Sequence, residues 1–169
     1  FNIIKKNRYF EIIFKQKIYK ITTFNEFVVK NTVSILLLYF FILKKWPKKF
    51  TKRIYAKGRA EIVYQEKKVL IMVDYAHSAD AFKNLLSNVP NDFKNKIVLY
   101  GCGGDRDKTK RPKIAKIVSK YSSHQLITND NPRNENPKSI RETLLKYSKN
   151  AISIANREKA IKYGVKLVK

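Results

Sequence analysis

Ile97-Val98-Leu99-Tyr100-Gly101-Cys102-Gly103-Gly104-Asp105-Arg106-Asp107-Lys108 decides how this chain is read. Three of its five glycines fall within four positions, directly after a short apolar run. Glycine there permits a sharp turn and a close backbone approach, and the charged residues that follow suit an anionic or zwitterionic group. A second polar turn, Asn129-Asp130-Asn131-Pro132-Arg133, begins 22 residues after Asp107 and ends in another arginine fork. Two such loops behind two strands predict one shared site at the edge of an α/β sheet.

Working outward, the rhythm from Glu61 onward is regular. Val69–Val73 is a continuous apolar run, as expected of a strand buried on both faces. Ser78 can cap a helix in which Ala79, Phe82, Leu85, Leu86 and Val89 share a face. Ile97–Tyr100 is the next strand, and Pro112 starts a helix bearing Ile114, Ile117, Val118 and Tyr121. Gln125–Thr128 is a short strand, and Asn136-Pro137 opens a helix with Ile140, Leu144 and Leu145 inward. Ala151–Ala155 is a fourth strand, and Asn156 caps a last helix with Ala160, Ile161, Val165 and Val168. The pattern βαβαβαβα predicts an α/β domain with a Rossmann-like, mostly parallel sheet and flanking helices.

The chain divides near Gly58. Residues 1–56 carry 13 Lys or Arg against only Glu11 and Glu26, with irregular alternation around Tyr9–Phe14 that resembles short strands. The run Thr32–Leu43 is strongly apolar, but its 12 residues fall short of the roughly 20 a membrane helix needs, so a buried helix is expected. The chain begins at Phe1 and stops at Lys169 inside a helical pattern, and it reads as an excerpt of a longer protein.

A net charge of +24 invites a nucleic-acid partner. Its lysines, however, are spread over nearly every segment, as a general bias toward Lys, Ile and Asn would produce, and charge runs are usually solvated faces. Cys102 is the sole cysteine, so no internal disulfide forms, and with His77 and His124 it makes no metal pattern. Small size between glycines is a simpler reason for it than a reactive thiol. A reducing cytoplasm is the expected compartment, and no membrane partner is implied.

The glycine cluster is not a triphosphate loop, because G-x-x-x-x-G-K-[ST] occurs nowhere in the chain. Asp74-Tyr75-Ala76-His77 closes the first long strand, where Asp74 can receive ribose hydroxyls and His77 can meet a base, or where both can merely shape a turn. In the second loop Pro132 stiffens the backbone that carries Arg133, ready to pair bidentately with a carboxylate, while Asp130 and Asn131 can receive an ammonium group and a second carboxylate. A capped turn before the Pro137 helix explains the same residues more plainly.

Taken together, Asp74–His77, Gly101–Pro112 and Thr128–Arg133, in this order and each behind a strand, resemble the C-terminal domain of the Mur ligase family. The resemblance runs from about Lys57 to Lys169, includes Gly58-Arg59-Ala60-Glu61 at the domain junction, and extends weakly back through Phe24–Asn31. It implies that residues 1–56 are an incomplete end of a central ATPase domain. Residues 57–169 would then be an amino-acid-binding ligase domain lacking its last portion.

The implied activity is ATP-dependent carbon–nitrogen ligation in peptidoglycan biosynthesis. Meso-diaminopimelate would be added to UDP-N-acetylmuramoyl-L-alanyl-D-glutamate through an acyl phosphate, with Mg2+ and lysine charges stabilising phosphoryl transfer. Arg59, Asp74 and His77 match the nucleotide side, and Arg106, Asp130, Asn131 and Arg133 match the diaminopimelate pocket. The Asp-Asn-Pro-Arg form is similar to diaminopimelate-type rather than lysine-type members, an arginine meeting the distal carboxylate that lysine lacks.

Departures accompany the match. Ser78-Ala79 stands where the family has Thr-Pro, and Asn25 where it has glycine. The phosphate loop, the magnesium ligands, the modified lysine and the later G-K-G-H-E segment are all missing from the sequence, so the chain alone is expected to be inactive and to hold neither ATP nor Mg2+ tightly. The competing readings are a truncated inactive remnant, a basic nucleic-acid-binding module, and a related amide ligase acting on folate or another peptide precursor.

Overall fold

The computed structural model describes residues 2–6, 9–14, 17–21, 26–47, 57–66 and 68–168. Phe24, Asn25, the basic stretch 48–56 and Lys169 therefore lie outside the described residues. The chain forms two compact units: Phe1–Val63 with Met72–Tyr75 and Asn88–Pro90, and Tyr64–Ile71 with Ala76–Ser87 and Asn91–Lys169.

In the first unit, Asn2–Lys5 (β1), Phe10–Phe14 (β2) and Lys17–Ile21 (β3) form an antiparallel sheet in the order β1-β2-β3. Period-two alternation puts Phe10 and Ile12 on one face, where they are buried with Tyr19. Helix α1, Glu26–Leu43, covers that face with Val29, Thr32 and Leu36, spaced as one side of a helix requires. Trp46 stacks on Phe40 at 4.5 Å beyond the helix end.

The expectation of a short, buried helix is corrected here. Helix α1 runs 18 residues, long and apolar enough to cross a membrane by length and composition alone. Leu38, Phe41 and Ile42 are 59%, 70% and 65% exposed. A helix apolar all round needs cover on every side, and the described part of this unit offers one three-stranded face.

Glu61–Gln65 (β4) and Leu70–Val73 (β5) make a two-stranded sheet, turned by reciprocal bonds between Glu66 and Val69. This corrects the second expectation: the Val69–Val73 run forms a strand, but it pairs with β4 and does not join the parallel sheet, and Val73 is 48% exposed. Among the described residues the parallel sheet has three strands.

Those strands are Ile97–Tyr100 (β6), His124–Ile127 (β7) and Ala151–Ser153 (β8), in the order β6-β7-β8 with Tyr100 opposite Ile127 and Ile127 opposite Ser153. The helices are Ala79–Ser87 (α2), Lys110–Tyr121 (α3), Pro137–Lys146 (α4) and Arg157–Leu167 (α5). Phe82, Leu86, Tyr100, Ile114, Ala115, Val118, Ile127 and Leu144 form one buried core. Gly164 of α5 approaches Leu126, whose Cδ1 would lie 3.0 Å from a Cβ added there. Ile161 and Val165 of α5 stay about half exposed.

Three expected caps are made. Ser78 Oγ accepts from the Ala81 N–H at 3.2 Å, Asn136 Oδ1 from Lys138 at 2.8 Å, and Asn156 Oδ1 from Lys159 at 2.9 Å. Helix α3 instead begins two residues before Pro112, behind a turn in which Asp107 Oδ1 accepts from both the amide and the hydroxyl of Thr109. Buried Gln125 donates to Ser119 Oγ and the Lys149 carbonyl and accepts from the Tyr100 hydroxyl, so its amide is satisfied. Burial pushes the Tyr100 phenol up to about 12.

Candidate functional site

Parallel pairing of β6 and β7 sets the loops 101–109 and 128–136 side by side at the strands' C-terminal ends. The Thr128 N–H donates to the Tyr100 carbonyl at 2.9 Å, carrying the ladder one step into the loops. The Gly104 N–H then donates to Asn131 O at 2.9 Å. A Cβ on Gly101 would collide with the Thr128 carbonyl oxygen, and one on Gly104 with that of Pro132. The close approach that these glycines allow is therefore to the second loop.

Charged groups lock the same junction. The Arg111 guanidinium, on the first turn of α3 and only 4% exposed, meets Glu135 through both forks: Nη2 to Oε1 at 2.8 Å and Nη1 to Oε2 at 3.0 Å. Its Nη2 also donates to the Gly103 carbonyl at 3.3 Å. The Asp105 N–H donates to Glu135 Oε1 at 2.7 Å, and Lys108 Nζ lies 3.4 Å from Oε2. The Arg111 hydrogen bonds, ahead of every other cause, hold the Glu135 carboxyl down to about 2. Asp105 Oδ2 accepts from both the backbone and side-chain nitrogens of Asn134. Asp105 and Arg133 each have positive φ, +49° and +50°, so both loops hold a residue in a conformation L side chains resist.

The expected pocket residues are placed as follows. Arg133 is exposed and donates from Nη1 to the Gly104 carbonyl at 2.6 Å. Asn131 Oδ1 accepts from the Arg133 N–H at 3.3 Å, and Asp130 Oδ1 from the Asn131 N–H at 2.8 Å, each side chain holding the turn. Arg106 is exposed and makes no hydrogen bond or ion pair with the described residues. The two loops thus carry Arg106, Asp130, Asn131 and Arg133 at the C-terminal end of the parallel sheet.

In the first compact unit, Asp74 Oδ2 accepts the Ala60 N–H at 2.7 Å, fixing a turn in which Ala60 has φ +46°. The Arg59 guanidinium lies 4.7 Å over the Tyr75 ring. His77 is exposed just before α2. Cys102 lines a small cleft with Thr128, Pro132, Ile140 and Arg141. Burial pushes its thiol up to about 11, on the protonated side at neutral pH.

Sequence reasoning passed over Glu135 and Arg141. Arg141 donates from Nε to Ser153 Oγ at 3.0 Å and from Nη1 to Pro137 O and to Asn129 Oδ1, tying the root of the second loop to α4 and β8. Neither residue belongs to a motif, and the partners of their side chains lie at least 12 positions away except for Pro137.

Residues 58–169 match the family model described as the Mur ligase, glutamate ligase domain. The chain belongs to the Mur ligase family. Similar proteins include the UDP-N-acetylmuramoyl-L-alanyl-D-glutamate--2,6-diaminopimelate ligases of Buchnera aphidicola subsp. Baizongia pistaciae and Lawsonia intracellularis. The first is 43% identical over 122 residues, covering 69% of this chain and 24% of that protein. The second is 44% identical over 123 residues, covering 70% and 26%. The chain thus spans about a quarter of the length of these Mur ligases.

Solved structures agree on the fold. A pseudomurein peptide ligase type C from Methanothermus fervidus matches with a TM-score of 0.67 at 20% identity, over 96% of this chain and 35% of its own. Mycobacterium tuberculosis folylpolyglutamate synthase matches with 0.69 at 14% identity, over 98% and 40%. The Mur ligase family is ATP-dependent and typically uses Mg2+. Among the described residues no three His, Cys, Asp or Glu side chains gather to hold a metal, and the sequence lacks a triphosphate loop.

Proposed function

We propose that this chain carries the amino-acid-binding part of an ATP-dependent ligase that joins meso-diaminopimelate to UDP-N-acetylmuramoyl-L-alanyl-D-glutamate in cytoplasmic peptidoglycan synthesis. Residues 1–56 are the end of a central ATPase domain, and 57–169 belong to the C-terminal ligase domain. The observation that carries this reading is the pinning of two arginine-bearing loops against each other at the C-terminal end of the parallel sheet. A stiff double loop presenting Arg106 and Arg133 beside Asp130 and Asn131 suits a ligand with two carboxylates and two ammonium groups.

In this reading Arg133 and Arg106 pair with carboxylates, Asp130 receives an ammonium group, and Asn131 orients the turn. Arg59, Asp74 and His77 belong to the nucleotide side. This segment's share of the reaction is to bind and orient the attacking amine; the phosphoryl chemistry belongs to groups outside it, and the chain alone is expected to show no turnover.

The test uses a protein in which this segment follows a complete central domain. ATP consumption should require both the dipeptide precursor and meso-diaminopimelate. Arg133→Ala should reduce the preference for meso-diaminopimelate over L-lysine about tenfold to a hundredfold, as loss of a charge-assisted pair predicts. An unchanged preference overturns the role given to Arg133.

A further inference from the structure

The geometry points to Arg111 and Glu135 as a positioning pair that holds the second loop on the first, and thereby sets where the Arg133 guanidinium stands. It relies on the proposed function only for the identity of the ligand.

Arg111 sits on the first turn of α3, on the same continuous stretch that forms the first loop, and its neighbours Ile114 and Ala115 are buried in the core. It is thus fixed to the scaffold. From there one guanidinium holds the Gly103 carbonyl of loop 101–109 and, through both forks, the Glu135 carboxylate of loop 128–136. Glu135 in turn accepts the Asp105 N–H, so one carboxylate joins the arginine, the first loop's backbone and its own loop. Arg133, two residues before Glu135, reaches the Gly104 carbonyl. A planar fork meeting a carboxylate bidentately fixes direction as well as distance, which a single lysine contact such as that of Lys108 does not. The positive-φ residues Asp105 and Arg133 flank this junction, and such conformations persist where the surroundings over-determine them.

Amide hydrogen exchange on the 169-residue chain reads the pair directly. The reporters are Asp105, whose N–H meets Glu135, and Gly104 and Asn134, whose N–H groups cross between the loops. Glu135→Gln should lower their protection at least tenfold more than it lowers that of Val118 and Leu126, in the core. Glu135→Asp, which keeps the charge on a shorter arm, should fall between. Should the buried Arg111 left unpaired prevent folding, the double variant Arg111→Met with Glu135→Leu removes both charges and should restore core protection but not that of the loops.

Calorimetric titration with meso-diaminopimelate, and L-lysine as control, adds the ligand arm. Affinity for meso-diaminopimelate should fall at least tenfold in Glu135→Gln. Loop protection unchanged in the variants overturns the pair's role, as does undiminished affinity in a variant whose loops have lost protection. If the unaltered chain takes up no meso-diaminopimelate while the loop amides respond as expected, the ligand reading fails and the positioning pair stands.

Discussion

Gly104 shows how a single missing side chain shapes this site. The carbon and oxygen of the Pro132 carbonyl occupy the space its Cβ would take, and Glu135 Cβ would lie 3.1 Å away. Neither backbone can yield without parting the loops, so Gly104→Ala should destabilise the domain by about 1–3 kcal/mol, as overpacking does. Chemical denaturation, with Gly58→Ala as a strained but uncrowded control, measures this. Glu135 supplies a second residue-scale test. Its folded-state carboxyl lies near 2 against an ordinary 4.5, so the stability it contributes is complete above about pH 4.5 and is lost as pH falls toward 2. A pH series of denaturation midpoints should lose part of its acid dependence in Glu135→Gln. An identical acid limb in both proteins would remove Glu135 as its source.

At the scale of elements, helix ends were legible wherever the signal is local. Ser78, Asn136 and Asn156 cap as their types predict, because an N-cap is decided within three residues. Asn156→Ala should therefore cost about 1 kcal/mol, read from the same denaturation curves. Helix α4 presents Ile140 and Leu144 to the core as its period requires, and Leu144, fully buried, should cost about 2–5 kcal/mol on truncation to Ala. Pairing between distant segments was not legible. Val69–Val73 reads as a strand from its own residues, yet its attachment to β4 depends on the Glu66–Val69 turn and on Glu61–Gln65. The loop junction divides the same way. Glycines and arginines drew attention by type and order, whereas Glu135 became visible only when the sheet set it beside an arginine 24 positions earlier.

At the scale of the whole molecule, the charge of +24 has two physical readings that differ in where binding energy sits. A dedicated nucleic-acid surface gathers cations on one face, so substituting that face abolishes binding. Cations scattered by composition give a diffuse field that attracts any polyanion without a preferred contact. Exposed lysines occur on every helix among the described residues, including Lys30 of α1, Lys83 of α2, Lys113, Lys116 and Lys120 of α3, Lys138 and Lys146 of α4, and Lys162 and Lys166 of α5. Several are already engaged, Lys30, Lys138 and Lys162 with a carboxylate one helical turn away and Lys116 over the Tyr147 ring. This dispersal favours the diffuse field. Binding to a mixed-sequence DNA duplex should then weaken at least a hundredfold between about 50 and 200 mM salt. Triple Lys→Gln substitution on α3 should weaken it no more than three such changes spread over α1, α4 and α5. Loss confined to the α3 variant would instead identify a nucleic-acid face, and would give this ligase domain a second partner that its two arginine loops do not explain.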